Sequence, residues 1–304
     1  MWFHNPFADA ALLPFLISVG VVLSLAFIVI LLVERRHLKE VFKRDLFKGL
    51  VTWICIAPVF SLAILAGQVP LYLLTAGFIL QSLREYVRLV NLPSSYRPFL
   101  FIAGLLAPLP AFYSPLAFYG FAALLMLLAT TQPLLIRGTP EGMRQLSFAV
   151  FGWGYIPLLL SHIVLISLYL PQGTNILLAT GWAVALSDVG AFVIGKSLGK
   201  HKLCPRISPK KTWEGVGGNF LGAYLGMAGM YSVLNFNLGW LTWVLPAFIA
   251  VGALWGDLVE SALKREFAAK DAGQWLPGFG GLLDRIDSLI LVLPLGFFVL
   301  TLLG

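Results

Sequence analysis

Long apolar runs, broken by short polar or proline-containing links, make up most of this chain. A helix needs about 20 apolar residues to cross a bilayer core. The runs approach that length and predict about ten crossings: Pro14–Val33, Leu50–Ala66, Val69–Leu83, Phe99–Phe112, Leu116–Ile136, Leu146–Leu170, Asn175–Ile194, Val216–Leu234, Leu241–Trp255 and Leu289–Leu303. The third and fourth runs are short or interrupted, which makes nine the other count. The pattern predicts an all-α, polytopic integral membrane protein. No basic region precedes the first run, and Arg35 follows it. A cleavable secretory leader has the opposite order, so this run reads as a retained anchor.

Composition supports the same class. Hydrophobic residues are 59% and charged residues 12% of 304, with a mean hydropathy of +0.88. Soluble domains carry roughly 25% charged residues, so this chain has too few to cover a soluble surface. The net charge of +7 then points to lipid-facing loops rather than to nucleic acid. Cys55 and Cys204 have neither metal nor disulfide spacing, and His4, His37, His162 and His201 are scattered.

The basic residues orient the helices. All 21 Lys and Arg fall in alternate links, after the first, third, fifth, seventh and ninth segments, while links such as Pro171–Thr174 and Asn235–Asn237 hold none. Cytoplasmic loops are enriched in Lys and Arg, which places these links inside and both termini outside. The expected membrane is the inner (plasma) membrane of a bacterium. Two organisational regions follow: an N-terminal helical region, 1–172, and a C-terminal region, 173–304, whose two long polar loops share the cytoplasmic face.

Candidate chemistry lies in those two loops. Asp257, Glu260, Ser261 and Lys264 are spaced to share one helical face. Asp284 and Asp287, three apart, begin the last segment, and Pro277–Gly281 is a glycine-rich link that lets backbone N–H groups approach an anion. Ionisable residues at membrane depth are costly and mark function. Carboxylates beside Lys, Arg and Gly suit Mg²⁺ and phosphate, because Mg²⁺ takes oxygen ligands and substrate phosphates. Upstream, Asp188 interrupts an apolar run, and Gly190, Ala191 and Gly195 suit close helix packing. The following basic loop ends in Ser208-Pro209-Lys210-Lys211-Thr212, read as phosphate-contacting; Lys200, Lys202 and Arg206 are read as headgroup anchors.

Together these stretches resemble the phosphatidate cytidylyltransferase (CDP-diacylglycerol synthase) family. Ser261, Lys264, Arg265, Lys270, Asp271, Gly273, Leu276, Pro277, Gly280, Gly281, Asp284, Arg285 and Asp287 stand in register with that family's signature, and the run from Ile207 to Gly215 is also similar. The resemblance covers roughly the last 120 residues. It implies condensation of CTP with phosphatidate to give CDP-diacylglycerol and diphosphate, at a site on the cytoplasmic face. It further implies Mg²⁺, as two divalent ions or as one with a monovalent ion.

In this reading Asp257, Asp284 and Asp287 hold metal, with Asp188 and Asp271 as further ligands. Lys264 neutralises phosphate. Ser208, Lys210, Lys211, Thr212, Ser261, Arg265, Lys270, Gly280, Gly281 and Arg285 bind substrate. The expected partners are CTP, a lipid phosphate and membrane lipids, without nucleic acid, and a homodimer is compatible with the pattern. Where the family has His before the Gly-Gly pair, this chain has Phe279. That departure keeps open a paralogue with another lipid or nucleotide substrate or with weakened activity; an ion-coupled transporter is the rival from another class.

Overall fold

The computed structural model describes residues 2–33, 45–135, 140–273, 275 and 280–304. Phe279, Leu276, Pro277 and Gly278 lie outside them, as do the topological residues Arg35, Arg36, Lys39, Lys43, Arg44 and Arg137.

The chain is mostly helical. The helices are α1 (Leu12–Val33), α2 (Asp45–Leu65), α3 (Gln68–Leu89), α4 (Arg97–Leu106), α5 (Pro115–Leu135), α6 (Pro140–Trp153), α7 (His162–Tyr169), α8 (Gly173–Leu198), α9 (Trp213–Leu234), α10 (Leu241–Glu266) and α11 (Leu283–Leu303). Each expected apolar run coincides with a helix or helix pair. Among the described residues, four helical stretches are long and apolar enough to cross a membrane: Gly142–Tyr169, Gly173–Leu198, Leu241–Glu266 and Leu283–Leu303.

The first of these joins α6 to α7 through a π turn at Gly154–Leu158 that contains Pro157. Proline has no N–H and its ring displaces the carbonyl one turn earlier, which accounts for the widened turn there. Most of the apolar part of this stretch is buried within the protein. On it His162 is a satisfied core side chain, bonded to Tyr119 Oη at 3.2 Å and to the Leu158 and Leu159 carbonyls at 3.1 Å each.

An all-α description needs one correction. The basic loop after α8 contains an antiparallel hairpin, β1 (Lys202–Cys204) and β2 (Ser208–Thr212). Pro205 and Arg206 turn the chain, and Ile207 N–H donates to the Cys204 carbonyl at 3.1 Å. Thr212 then ends β2 and caps α9: its Oγ1 accepts from Gly215 N–H at 3.1 Å, the usual use of Thr at a helix start.

Two close helix pairs create the site. On α9, Gly218, Gly222 and Gly226 recur every four residues and face α8. A Cβ at Gly218 would strike the Gly190 backbone, one at Gly222 the Leu186 carbonyl, and one at Gly226 the Ala183 Cα. Small residues at this spacing let helix backbones touch in an apolar medium. Gly256 does the same for α10, abutting the Asp287 carbonyl of α11. These contacts bring Asp188, Asp257 and Asp287 to one cavity.

Candidate active site

The cavity has a volume of about 810 Å³ and lies between α8, the hairpin, α9, α10 and the start of α11. Of the residues expected from sequence, Asp188, Ser208, Lys210, Lys211, Thr212, Asp257, Lys264, Asp271, Asp284, Arg285 and Asp287 line it. Ser261, Arg265, Lys270, Gly280 and Gly281 do not.

On α10, the helical spacing puts Ser261 one turn beyond Asp257, and its Oγ donates to Asp257 Oδ1 at 3.2 Å. Lys264 pairs with Glu260, one turn before it, and donates to Asp284 Oδ1 at 2.7 Å. The Glu260 side chain is fully buried and that of Asp284 is 5% exposed, so Lys264 balances two carboxylates out of water. Lys211 reaches from β2 to Asp257 Oδ2 at 2.7 Å. This pair is more open, with Asp257 at 40% exposure, so its partners can exchange.

The five aspartates separate into two groups. Asp284 is engaged on both oxygens: it accepts from Gly281 N–H at 2.7 Å, from Ala272 N–H at 2.9 Å and from Lys264. Asp271 lines the cavity near it. Asp188, Asp257 and Asp287 form the other group and act on one another electrostatically. Asp287 is buried, and Ser288 N–H donates to its Oδ1 at 2.8 Å. Among the described residues no three His, Cys, Asp or Glu side chains converge on one point. Mg²⁺ is held by one or two carboxylates together with substrate phosphates, so the oxygen donors of Asp257 and Asp287 suit it in kind and number.

The remaining sequence candidates have other contacts. Arg265 donates through Nε to the Ile207 carbonyl at 3.2 Å and ties α10 to the hairpin turn. Lys270 is exposed. Gly280 adopts a φ of +80°, which glycine takes without strain, and so directs the next N–H to Asp284. The anion embraced by this part of the glycine-rich link is thus the chain's own carboxylate.

Three residues went unassigned in the sequence, Glu85, Asn219 and Lys196, and a fourth, Lys202, was read only as an anchor. Glu85 of α3 is 3% exposed and accepts from Leu282 N–H at 3.0 Å, Leu283 N–H at 2.8 Å and Gln81 Nε2 at 2.7 Å. It caps α11 where the N–H groups have no helical partner. Its neighbours Arg84 and Arg88 belong to a link read as cytoplasmic interface, which hid it. Asn219 of α9 lines the cavity, is 2% exposed, and its Oδ1 has no partner; a lone amide in an apolar run was its signal. Lys196 and Lys202 also face the cavity, so Lys202 has a position beyond headgroup anchoring.

Helices of membrane-spanning length around a cavity lined by lysines and carboxylates define a class: helical proteins of membrane type with a charged cavity at helix ends. The comparisons make this particular. Residues 47–303 match the cytidylyltransferase family, and the chain belongs to that family. It is 32% identical over 269 residues to the phosphatidate cytidylyltransferase of Bacillus subtilis, covering 85% of this chain and 98% of that protein. It is 46% identical over 128 residues to the phosphatidate cytidylyltransferase of Staphylococcus aureus strain COL, and 42% over 125 residues to that of Staphylococcus saprophyticus. Each staphylococcal alignment covers 41% of this chain and 48% of the relative, so the chain spans about half the length of those relatives.

Proposed function

We propose that this chain is a phosphatidate cytidylyltransferase: CTP and phosphatidate give CDP-diacylglycerol and diphosphate. The observation that carries the reading is the placement of Lys211 and Lys264 opposite Asp257, Asp284 and Asp287 in one cavity at helix ends. The near full-length similarity to the Bacillus subtilis protein of that name supports it.

A phosphate oxygen of phosphatidate attacks the α-phosphorus of CTP. A new P–O bond forms, the bond to the bridging α,β-oxygen breaks, and diphosphate leaves with that electron pair. Both reactants are anions, so the protein's task is to neutralise charge and align them. Lys211 leaves Asp257 for a phosphate oxygen as the nucleotide arrives. Ser208 and Lys210 on the same strand, with Lys202 across the hairpin, hold the triphosphate. Lys264 keeps its two carboxylate partners and presents its charge to the cavity. The phosphate nucleophile is already ionised near neutral pH, so no strong general base is needed.

Asp257 and Asp287, with Asp188 beside them, hold Mg²⁺ in this reading, as one ion, a pair, or one with a monovalent ion. Such a metal would supply further neutralisation of phosphate charge. Asp284, bound by Lys264 and by two backbone N–H groups, positions the loop, and Asp271 stands beside it.

The basic links lie on the cytoplasmic side of a bacterial inner membrane, with about ten crossings and both termini outside. Thiol-labelling of single cysteines at Lys210 and Asn237 tests this orientation: the first reacts only from the cytoplasmic side and the second only from outside.

The reaction itself is tested with purified protein in detergent, labelled CTP, phosphatidate and Mg²⁺. A labelled lipid is expected. Its absence with phosphatidate, and its appearance with another lipid phosphate or nucleotide, would assign the chain to the altered-substrate alternative.

A further inference from the structure

A second cavity, narrow and apolar, is lined by residues of α1, α2, α3, α8 and the start of α11. Its free volume is about 70 Å³. Phe15 of α1, Phe60 of α2, Phe78 of α3 and Trp182 of α8 supply its aromatic wall. Asp188 and Arg285 line both this cleft and the polar cavity. The two spaces therefore border on the same pair of polar side chains.

From Asp188 the cleft follows α8 back to Gly181, seven residues and about 10 Å along the helix axis. At Gly181 the Phe60 ring lies where a Cβ would stand, 2.8 Å from it, and forms the cleft's floor. Phe15 is 3% exposed and meets Trp182 edge-on, with ring centroids 6.4 Å apart. Phe15 belongs to α1, which precedes the part of the chain, 47–303, that matches the family.

We propose that this cleft receives the upper part of one acyl tail of the lipid phosphate, and that Phe15 of α1 sets the tail it accepts. The inference rests on the reading of the polar cavity as the site for the lipid's phosphate. A lipid phosphate carries its charge and its tails on one short backbone, so a cavity that holds the charge needs an apolar exit within a few ångströms. An aqueous cavity offers no favourable environment to methylene groups, whereas an apolar wall does. The cleft provides that exit at the residues the two cavities share. Because α1 contributes Phe15 to the wall, tail selection here depends on a helix outside the family-matched region.

The test is equilibrium binding to the purified full chain in detergent, without CTP, of glycerol 3-phosphate, dioctanoyl phosphatidate and dipalmitoyl phosphatidate. Ala57 also lines the cleft. Ala57→Phe should weaken dipalmitoyl phosphatidate binding about tenfold, on the scale of overpacking a filled apolar site, and leave glycerol 3-phosphate binding unchanged. Phe15→Ala should move the preference between the two tails by several-fold in favour of the longer, and it decides the matter should Ala57→Phe not yield folded protein. Unchanged tail preference in a folded variant overturns the cleft assignment. Equal loss of glycerol 3-phosphate binding overturns it as well, because the damage would then lie in the polar cavity. Formation of CDP-diacylglycerol is followed separately. A wild-type chain that binds phosphatidate with this tail dependence but makes no product ends the reaction reading and supports the cleft.

Discussion

The carboxylate of Glu85 accepts the backbone N–H of Leu283 at 2.8 Å, across 198 residues of sequence. Through this bond and its neighbour to Leu282, α3 fixes the start of α11 and with it the spacing of Asp284 and Asp287. Helices α3 and α11 thus meet beside the site, and α3 supplies a positioning group.

Glu85→Ala leaves two buried N–H groups without an acceptor. Each costs about 1–3 kcal/mol, so a lower midpoint of thermal unfolding in detergent is expected together with lost turnover. Glu85→Gln keeps one oxygen acceptor and should lie between Glu85→Ala and the wild type on both measurements.

Lys264 joins Glu260 and Asp284 where water is excluded. Lys264→Met strands both carboxylates, and breaking a buried pair costs about 3–5 kcal/mol. The double variant Lys264→Met with Glu260→Gln should recover part of that stability in a denaturation assay and none of the turnover. Recovery of turnover as well would remove Lys264 from phosphate neutralisation.

Lys211 and Asp257 form the half-exposed pair. Exposed ion pairs contribute about 0–1 kcal/mol, so Lys211→Met should unfold at nearly the wild-type temperature. Its KM for CTP should rise by an order of magnitude or more. It should also bind Mn²⁺ more tightly than the wild type when no nucleotide is present, because Asp257 no longer carries an internal cation; electron paramagnetic resonance titration reads this directly.

Asp287→Asn removes a charge and keeps the shape. Turnover should fall by about 10²–10³, the scale of removing one electrostatic stabiliser of a transition state, with Mn²⁺ binding weakened and the protein still folded. Normal turnover would falsify its assignment as a metal ligand.

Gly222 meets the Leu186 carbonyl without room for a Cβ. Gly222→Val should force α8 and α9 apart at a cost of about 1–3 kcal/mol. Because that contact sets the position of Asp188, turnover should fall even in detergents where the variant remains monodisperse by gel filtration.

The apolar runs were legible because a hydrocarbon solvent imposes one demand, that every backbone polar group be satisfied within the segment, and that demand is written residue by residue. The pattern of apolar runs therefore predicted the helices. The helical spacing of Asp257, Ser261 and Lys264 was likewise local. Much of the cavity could be named for the same reason: Lys211, Asp257, Asp284 and Asp287 fall in short polar stretches where an apolar chain otherwise has no use for charge.

What remained hidden depends on distance in sequence. Ser208–Thr212 is a strand only because Lys202–Cys204 folds back against it. Arg265 was expected at the substrate, but the hairpin turn brings the Ile207 carbonyl within its reach. Gly281 was expected to face a ligand, yet the turn at Gly280 gives its N–H to Asp284. Glu85 sits in a run of arginines that reads as interface, and only the packing of α3 against α11 makes it a helix cap. Sequence sets which groups are too polar for the membrane; tertiary packing decides which of them satisfy one another and which are left facing the cavity.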